Sequence, residues 1–164
     1  MVKYAILVDI NRCYGCHSCE VACKQENNLP IGIKWIRVVT VGPREIDGKL
    51  RMDFFPTFCK HCGKPKCMDV CPEKAIIKRP DGIVLVKEEL CIGCQQCIDV
   101  CPARAIQYNE EKGTVEKCNL CHDRIDKGLK PACVISCPAG ALYFGHINRV
   151  IEELNEKSAY IGSN

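Results

Sequence analysis

The sequence predicts an α+β fold: one compact chain of short antiparallel hairpins and short helices, held together by something other than a large oily core. Three observations carry that expectation. Sixteen of the 164 residues are cysteine, a share at which cysteine begins to dictate architecture. Apolar residues make up 47% of the chain with the cysteines counted and only about 37% without them, below the usual globular share. The cysteines also recur as four groups of four, an internal repeat interleaved with strand and turn signals.

Group one is Cys13, Cys16, Cys19 and Cys23, spaced C-x2-C-x2-C-x3-C. Group two is Cys59, Cys62, Cys67 and Cys71, with four residues in its middle gap. Group three, Cys91, Cys94, Cys97 and Cys101, repeats the first spacing, and group four, Cys118, Cys121, Cys133 and Cys137, widens the middle gap to eleven. The last cysteine of groups two, three and four is followed by Pro72, Pro102 and Pro138.

The segment from Met1 to Asp9 reaches an acidic residue after a short apolar run, with no cleavage site or twin-arginine pair. A cytoplasmic chain is therefore expected. Cytosolic thiols stay reduced, which favours metal ligands over disulfides. The longest run free of formal charge, Pro131 to Asn148, includes Cys133, Cys137, Pro138, Gly140 and Gly145, and no bilayer span is expected from it. The formal charge of +3 counts every cysteine as neutral. With sixteen thiolates on four oxidised four-iron clusters the net charge falls to about −5, so the apo charge gives no ground for a nucleic-acid partner.

The spacing has a physical reason. Three cysteines in a tight loop wrap three corners of an iron-sulfur cube, while the fourth, three residues on at a turn of helix, points away and reaches another cluster. Cys-Pro then ends the turn, because proline lacks an N–H and fixes its own φ. Zinc is the competing reading of the C-x2-C pairs, with group four the most open to it. Compact quartets favour iron-sulfur.

Each element follows from local pattern. Val2 to Ile10 reads as a strand leading into the first loop, and Ser18 to Asn27 as a helix carrying Cys19 and Cys23. Trp35 to Val41 and Lys49 to Phe55 read as a strand pair joined through Gly42-Pro43 and Asp47-Gly48. Ala75 to Lys78 and Ile83 to Val86 flank an Arg79-to-Gly82 turn. Ile106 to Tyr108 and Thr114 to Lys117 flank a Glu110-to-Gly113 turn. From His146 to Ser158, Ile147, Val150, Ile151 and Leu154 share one helical face.

Adjacency then suggests the crossings. One short hairpin joins groups two and three, as in the halves of a small ferredoxin, so Cys101 completes the set Cys59, Cys62, Cys67, and Cys71 completes Cys91, Cys94, Cys97. Groups one and four remain: Cys137 with Cys13, Cys16, Cys19, and Cys23 with Cys118, Cys121, Cys133. The chain divides into two interleaved ferredoxin-like units, residues 1–50 plus 110–164 outside and residues 51–109 inserted.

Over nearly its whole length the sequence resembles the four-cluster iron-sulfur subunits of molybdenum and tungsten pterin oxidoreductases. The resemblance rests on the four groups, the widened fourth above all, and on the stretch from Cys59 to Cys67. Members serve enzymes of dimethyl sulfoxide reductase, polysulfide reductase and formate dehydrogenase type, and similar small subunits accompany some tungsten aldehyde oxidoreductases. It implies four [4Fe-4S] clusters with the crossings above and a larger tungsten or molybdenum pterin catalytic subunit as heterodimer partner. Two departures stand out. Group one has no proline after Cys23, which implies a longer helix, and no transmembrane extension like that of formate dehydrogenase subunits follows group four. The second leans toward the tungsten aldehyde oxidoreductase partners, with the dimethyl sulfoxide and polysulfide reductase type as the alternative.

No phosphate loop, dinucleotide fingerprint or Ser/His/Asp set is present, and no cysteine is left over as a nucleophile. The expectation is a non-catalytic electron carrier whose clusters form a row, one end meeting the catalytic subunit and the other a soluble ferredoxin or other redox carrier. A freely diffusing polyferredoxin and a zinc-binding interaction module are the competing classes. Lys60, Lys64, Lys66 and Lys74 crowd group two, either raising its potential or simply solvated. His17, His61 and His122 read as surface or hydrogen-bonding residues rather than ligands, and Trp35 as core.

Overall fold

The computed structural model describes residues 4–161, with side chains described as far as residue 156. Among the described residues the sheets are four separate antiparallel pairs, and the remaining elements are helices, most of them single turns. Strand β1 (Tyr4–Val8) leads into the first cysteine loop and helix α1 (Ser18–Glu26). Val2 and Lys3 of the expected first strand lie outside the described residues.

Strands β2 (Ile36–Ile46) and β3 (Lys49–Phe58) form the longest pair. It extends beyond the sequence expectation because Gly42-Pro43 does not turn the chain. The dipeptide is a bulge within β2, with a cis peptide bond and a register shift between Val41 and Arg44, and Asp47-Gly48 alone makes the turn. A bulge absorbs the proline that a regular ladder rejects. Trp35 lies just before β2, half-buried, its indole Nε1 donating to Glu116 at 3.3 Å.

The two short hairpins fall where the turns predict them. Strand β4 (Ile76–Lys78) pairs with β5 (Val84–Val86), and β6 (Ile106–Asn109) with β7 (Thr114–Lys117). Single helical turns precede or follow them: α2 (Lys66–Asp69), α3 (Gln96–Asp99), α4 (His122–Ile125) and α5 (Ala132–Ile135). Strand β8 (Leu142–His146), which the sequence reading missed, returns to pair with β1, Tyr4 opposite His146 and Val8 opposite Leu142. Its Leu-Tyr-Phe run carries the signal, and Phe144 stacks on Tyr4 with centroids 5.5 Å apart.

Helix α6 (Ile147–Ile161) ends the described chain. Val150 is buried and Ile147 and Leu154 half-buried, whereas Ile151, expected on the same face, is exposed.

Two apolar clusters share the interior. The first joins Ile6, Cys19, Cys23, Ile36, Phe58, Ile83, Leu120, Ile125, Cys133 and Leu142, and the second joins Ile76, Val84, Cys97, Ile106 and Val115. Cysteine is a structural member of both.

Glu20 of α1 ties the first loop to β2. Its carboxylate accepts from Lys34 Nζ at 2.6 Å and from the Val38 N–H at 2.7 Å, and pairs with His17 Nδ1 at 3.1 Å. Burial opposes ionisation, but these donors prevail and hold its pKa below the ordinary glutamate value. Its stabilisation is therefore present above the unfolded carboxylate pKa and lost as pH falls through the depressed one. Glu20→Gln should cost about 2 kcal/mol at neutral pH, with the deficit shrinking on acidification; equal deficits at pH 7 and in strong acid, read by denaturant unfolding, would contradict this role.

Candidate iron-sulfur centres

The cysteine loops share one backbone device. The residue before the second cysteine has positive φ in each: Gly15 (74°), His61 (45°), Gly93 (68°) and Leu120 (60°). This left-handed residue curls each loop into an arc. At Gly15 a Cβ would come 2.4 Å from the Phe54 ring, and at Gly93 the same distance from the Gly113 carbonyl oxygen. In groups two and four the position carries a full side chain, and His61 and Leu120 are both buried, so packing offsets the strained backbone.

A second device repeats at the fourth cysteine. In Cys71-Pro-x-x-Ala75, Cys101-Pro-x-x-Ala105 and Cys137-Pro-x-x-Ala141 the alanine N–H donates to the cysteine sulfur at 3.3, 3.5 and 3.3 Å. Hydrogen bonds to a thiolate favour its charged form. Group one has no proline after Cys23, and α1 runs on as expected. There Asn27 serves instead, its Nδ2 donating to the Cys23 carbonyl at 2.9 Å and lying 3.8 Å from Cys23 Sγ.

The structure gathers the cysteines into sets. A cavity of about 130 Å³ is lined by Cys59, Cys62, Cys67 and Cys101. A second is lined by Cys71, Cys91, Cys94 and Cys97, and a third by Cys13, Cys16, Cys19 and Cys137. The remaining four, Cys23, Cys118, Cys121 and Cys133, are all buried. Burial, then the charges of Cys118, Cys121 and Cys23, push the Cys133 thiol strongly up. Cys23 rises to about 12 by burial and the nearby Cys121.

These sets fit a four-iron cube. Each supplies four cysteine sulfurs, one for each iron, and three of the four sets line a cavity. Buried thiols also hold their protons: Cys19 and Cys97 are raised to about 12 and about 11, burial being the largest cause. Cys16 at the surface moves the other way, lowered by hydrogen bonds from Ser18. Metal binding must displace the buried protons and offset the cost of an interior thiolate.

A model of the 4Fe-4S dicluster domain matches residues 50–147. The protein is 40% identical to a subunit of the anaerobic dimethyl sulfoxide reductase of Escherichia coli, over 96% of its own length and 80% of that relative's. It is 38% identical to a subunit of the polysulfide reductase of Wolinella succinogenes, over 94% and 82% of the two lengths. With a subunit of the tetrathionate reductase of Salmonella typhimurium the identity is 41%, over 88% and 58%.

The protein is a member of this iron-sulfur subunit family. It is an electron-transfer subunit of the dimethyl sulfoxide and polysulfide reductase type and carries four [4Fe-4S] clusters. The lean toward a tungsten aldehyde oxidoreductase finds no support in these relatives, and the alternative fits better.

Lys60, Lys64 and Lys66 line the first cavity and are exposed, and Lys74 does not line it. His17 is exposed and His122 half-exposed beside Asp123. His61 is buried, accepting the Val84 N–H on Nδ1 at 3.0 Å, while its Nε2 has no partner among the described residues. Burial first, and the charge of Lys117 second, lower its pKa to about 3, so the ring is neutral. Sequence reasoning missed Lys117, a buried lysine that lines the first cavity from a distant strand. All four residues of β7 are buried, so no polar-apolar alternation marked this lysine as interior.

Because both cores contain cysteine, anaerobic removal of iron with acid and chelator should abolish cooperative thermal unfolding by circular dichroism. An unchanged Tm in the stripped protein would contradict a structural role for the clusters.

Proposed function

We propose that this subunit relays electrons, one at a time, between a larger molybdenum or tungsten pterin catalytic subunit and an external redox carrier, and makes no bonds itself. The observation that carries the reading is the cavity lined by Cys59, Cys62, Cys67 and Cys101. A cysteine from group three there closes a set begun by group two, which is the crossing that links clusters into a chain.

The proposed ligand sets are Cys13, Cys16, Cys19 and Cys137; Cys118, Cys121, Cys133 and Cys23; Cys59, Cys62, Cys67 and Cys101; and Cys91, Cys94, Cys97 and Cys71. Support comes from the three cavities and from the mutual electrostatic effects within the buried fourth set. When bound, each cluster supplies one-electron redox chemistry. The residues around it supply N–H donors to sulfur, exclude water and fix spacing.

Cross-set effects support one order along the row. Cys67 lies near enough to Cys97 for its charge to raise that thiol, Cys59 does the same to Cys118, and Cys19 to Cys133. The Cys91 set therefore neighbours the Cys59 set, then the Cys118 set, then the Cys13 set. Cys94 and Cys16 are exposed in the two end sets, where partners can meet them, and Cys62 of the Cys59 set is exposed as well.

The interleaving of residues 1–50 plus 110–164 with residues 51–109 belongs to the same proposal. Pairing of β1 with β8 closes the outer unit. Phe58 and Ile83 of the inserted unit pack in the first core, and Val115 of the outer unit in the second, so neither unit is expected to fold alone.

The crossings predict shared spectroscopic phenotypes. Cys23→Ser and Cys118→Ser should alter the same electron paramagnetic resonance signal, and Cys13→Ser a different one; a signal shared by Cys23→Ser and Cys13→Ser instead would sink the crossing. For the partner, native purification should bring down a larger polypeptide containing molybdenum or tungsten. Recovery of this protein alone would favour the diffusing carrier.

A further inference from the structure

Lys117 is almost completely buried, at 3% exposure. Its ammonium donates to the Val84 carbonyl and, at 3.1 Å, to the Cys118 carbonyl. Among the described residues it makes no ion pair. Neighbouring Glu116 is engaged elsewhere, with Lys112, Asn109 and Trp35. An interior cation without a counter-charge is costly, and two neutral carbonyls do not neutralise it.

What it faces is the cavity of Cys59, Cys62, Cys67 and Cys101. Strand β7 sets up a contrast along the row. Val115 lines the cavity of the Cys91 set, and two residues on, Lys117 lines that of the Cys59 set. Among the described residues no lysine or arginine lines the cavity of the Cys91 set or that of the Cys13 set. The other lysines at the Cys59 cavity, Lys60, Lys64 and Lys66, are exposed, where water and salt screen them.

We infer that Lys117 is the internal counter-charge of the cluster held by Cys59, Cys62, Cys67 and Cys101, and sets that cluster's potential above those of the Cys13 and Cys91 sets. The inference rests on the proposed ligand sets. Adding one electron makes a cluster more negative, so a fixed cation at its wall favours the reduced form. No bond or proton at Lys117 changes, and in a titration the electron comes from the added reductant. A unit charge a cavity's width away, at an effective dielectric of about 20, changes the reduced-to-oxidised ratio on the order of tenfold.

The test is a dithionite titration of anaerobically purified protein, followed by electron paramagnetic resonance, with iron and sulfide assayed in parallel. The signal altered by Cys59→Ser and by Cys101→Ser identifies the cluster. In Lys117→Met that signal should titrate lower, by about tenfold in the ratio at fixed potential or about 59 mV for one electron. Lys117→Arg should retain the wild-type midpoint, and Lys64→Met should move it less than about threefold. Four intact clusters with unchanged midpoints in Lys117→Met would overturn the inference and leave the ligand sets standing. Different signals altered by Cys59→Ser and Cys101→Ser would overturn the ligand sets instead. The wild type supplies a check that needs no Lys117 variant: the Cys59/Cys101 signal should titrate above those altered by Cys13→Ser and by Cys91→Ser, and the reverse order overturns the inference.

Discussion

Ionised sulfur in a protein interior is the constraint on which this structure depends. Six cysteines are buried, and burial alone drives their thiols toward the neutral form. Only a strongly positive centre makes a cluster of interior thiolates tolerable. Iron therefore shapes the fold as well as the redox chemistry. Among the described residues no sheet has more than two strands; four strand pairs are interspersed with helices, most of them single turns.

The local chemistry repeats because the physical problem repeats. A left-handed residue curls each loop, and three Cys-Pro turns present an alanine N–H to the sulfur that reaches across. The exceptions follow from position. The outer loops use glycine, at Gly15 and Gly93, while the inner ones bury His61 and Leu120. At the outer positions the space for a side chain is already filled, by the Phe54 ring beside Gly15 and by the Gly113 carbonyl beside Gly93. Group one replaces the Cys-Pro turn with a continuing helix, and Asn27 reaches back to the Cys23 sulfur, which also receives the Ile36 backbone N–H.

Much of this was legible in the sequence because cysteine spacing and turn residues act locally. Helix α1 and both short hairpins follow from patterns a few residues long. The strand pair from Ile36 to Phe58 was legible in kind but not in extent, since Gly42-Pro43 reads as a turn and is accommodated as a bulge. Strand β8 was missed because its partner β1 lies more than a hundred residues away and only tertiary pairing distinguishes its short run from a loop. Lys117 was illegible for a related reason. Sequence proximity pointed to Lys60, Lys64 and Lys66, which are solvated, whereas the buried charge arrives from a strand outside group two.

A relay of this kind depends on geometry, since each crossing cysteine both binds one cluster and fixes its distance from the next. The most direct test is the crystal structure of the anaerobically purified protein with diffraction recorded at the iron absorption edge. The account predicts four tetranuclear iron peaks in a row, ordered from the Cys91 set through the Cys59 and Cys118 sets to the Cys13 set, with Cys23 Sγ on iron beside Cys118. Fewer peaks, isolated single ions, or Cys23 bonded within its own loop would contradict it.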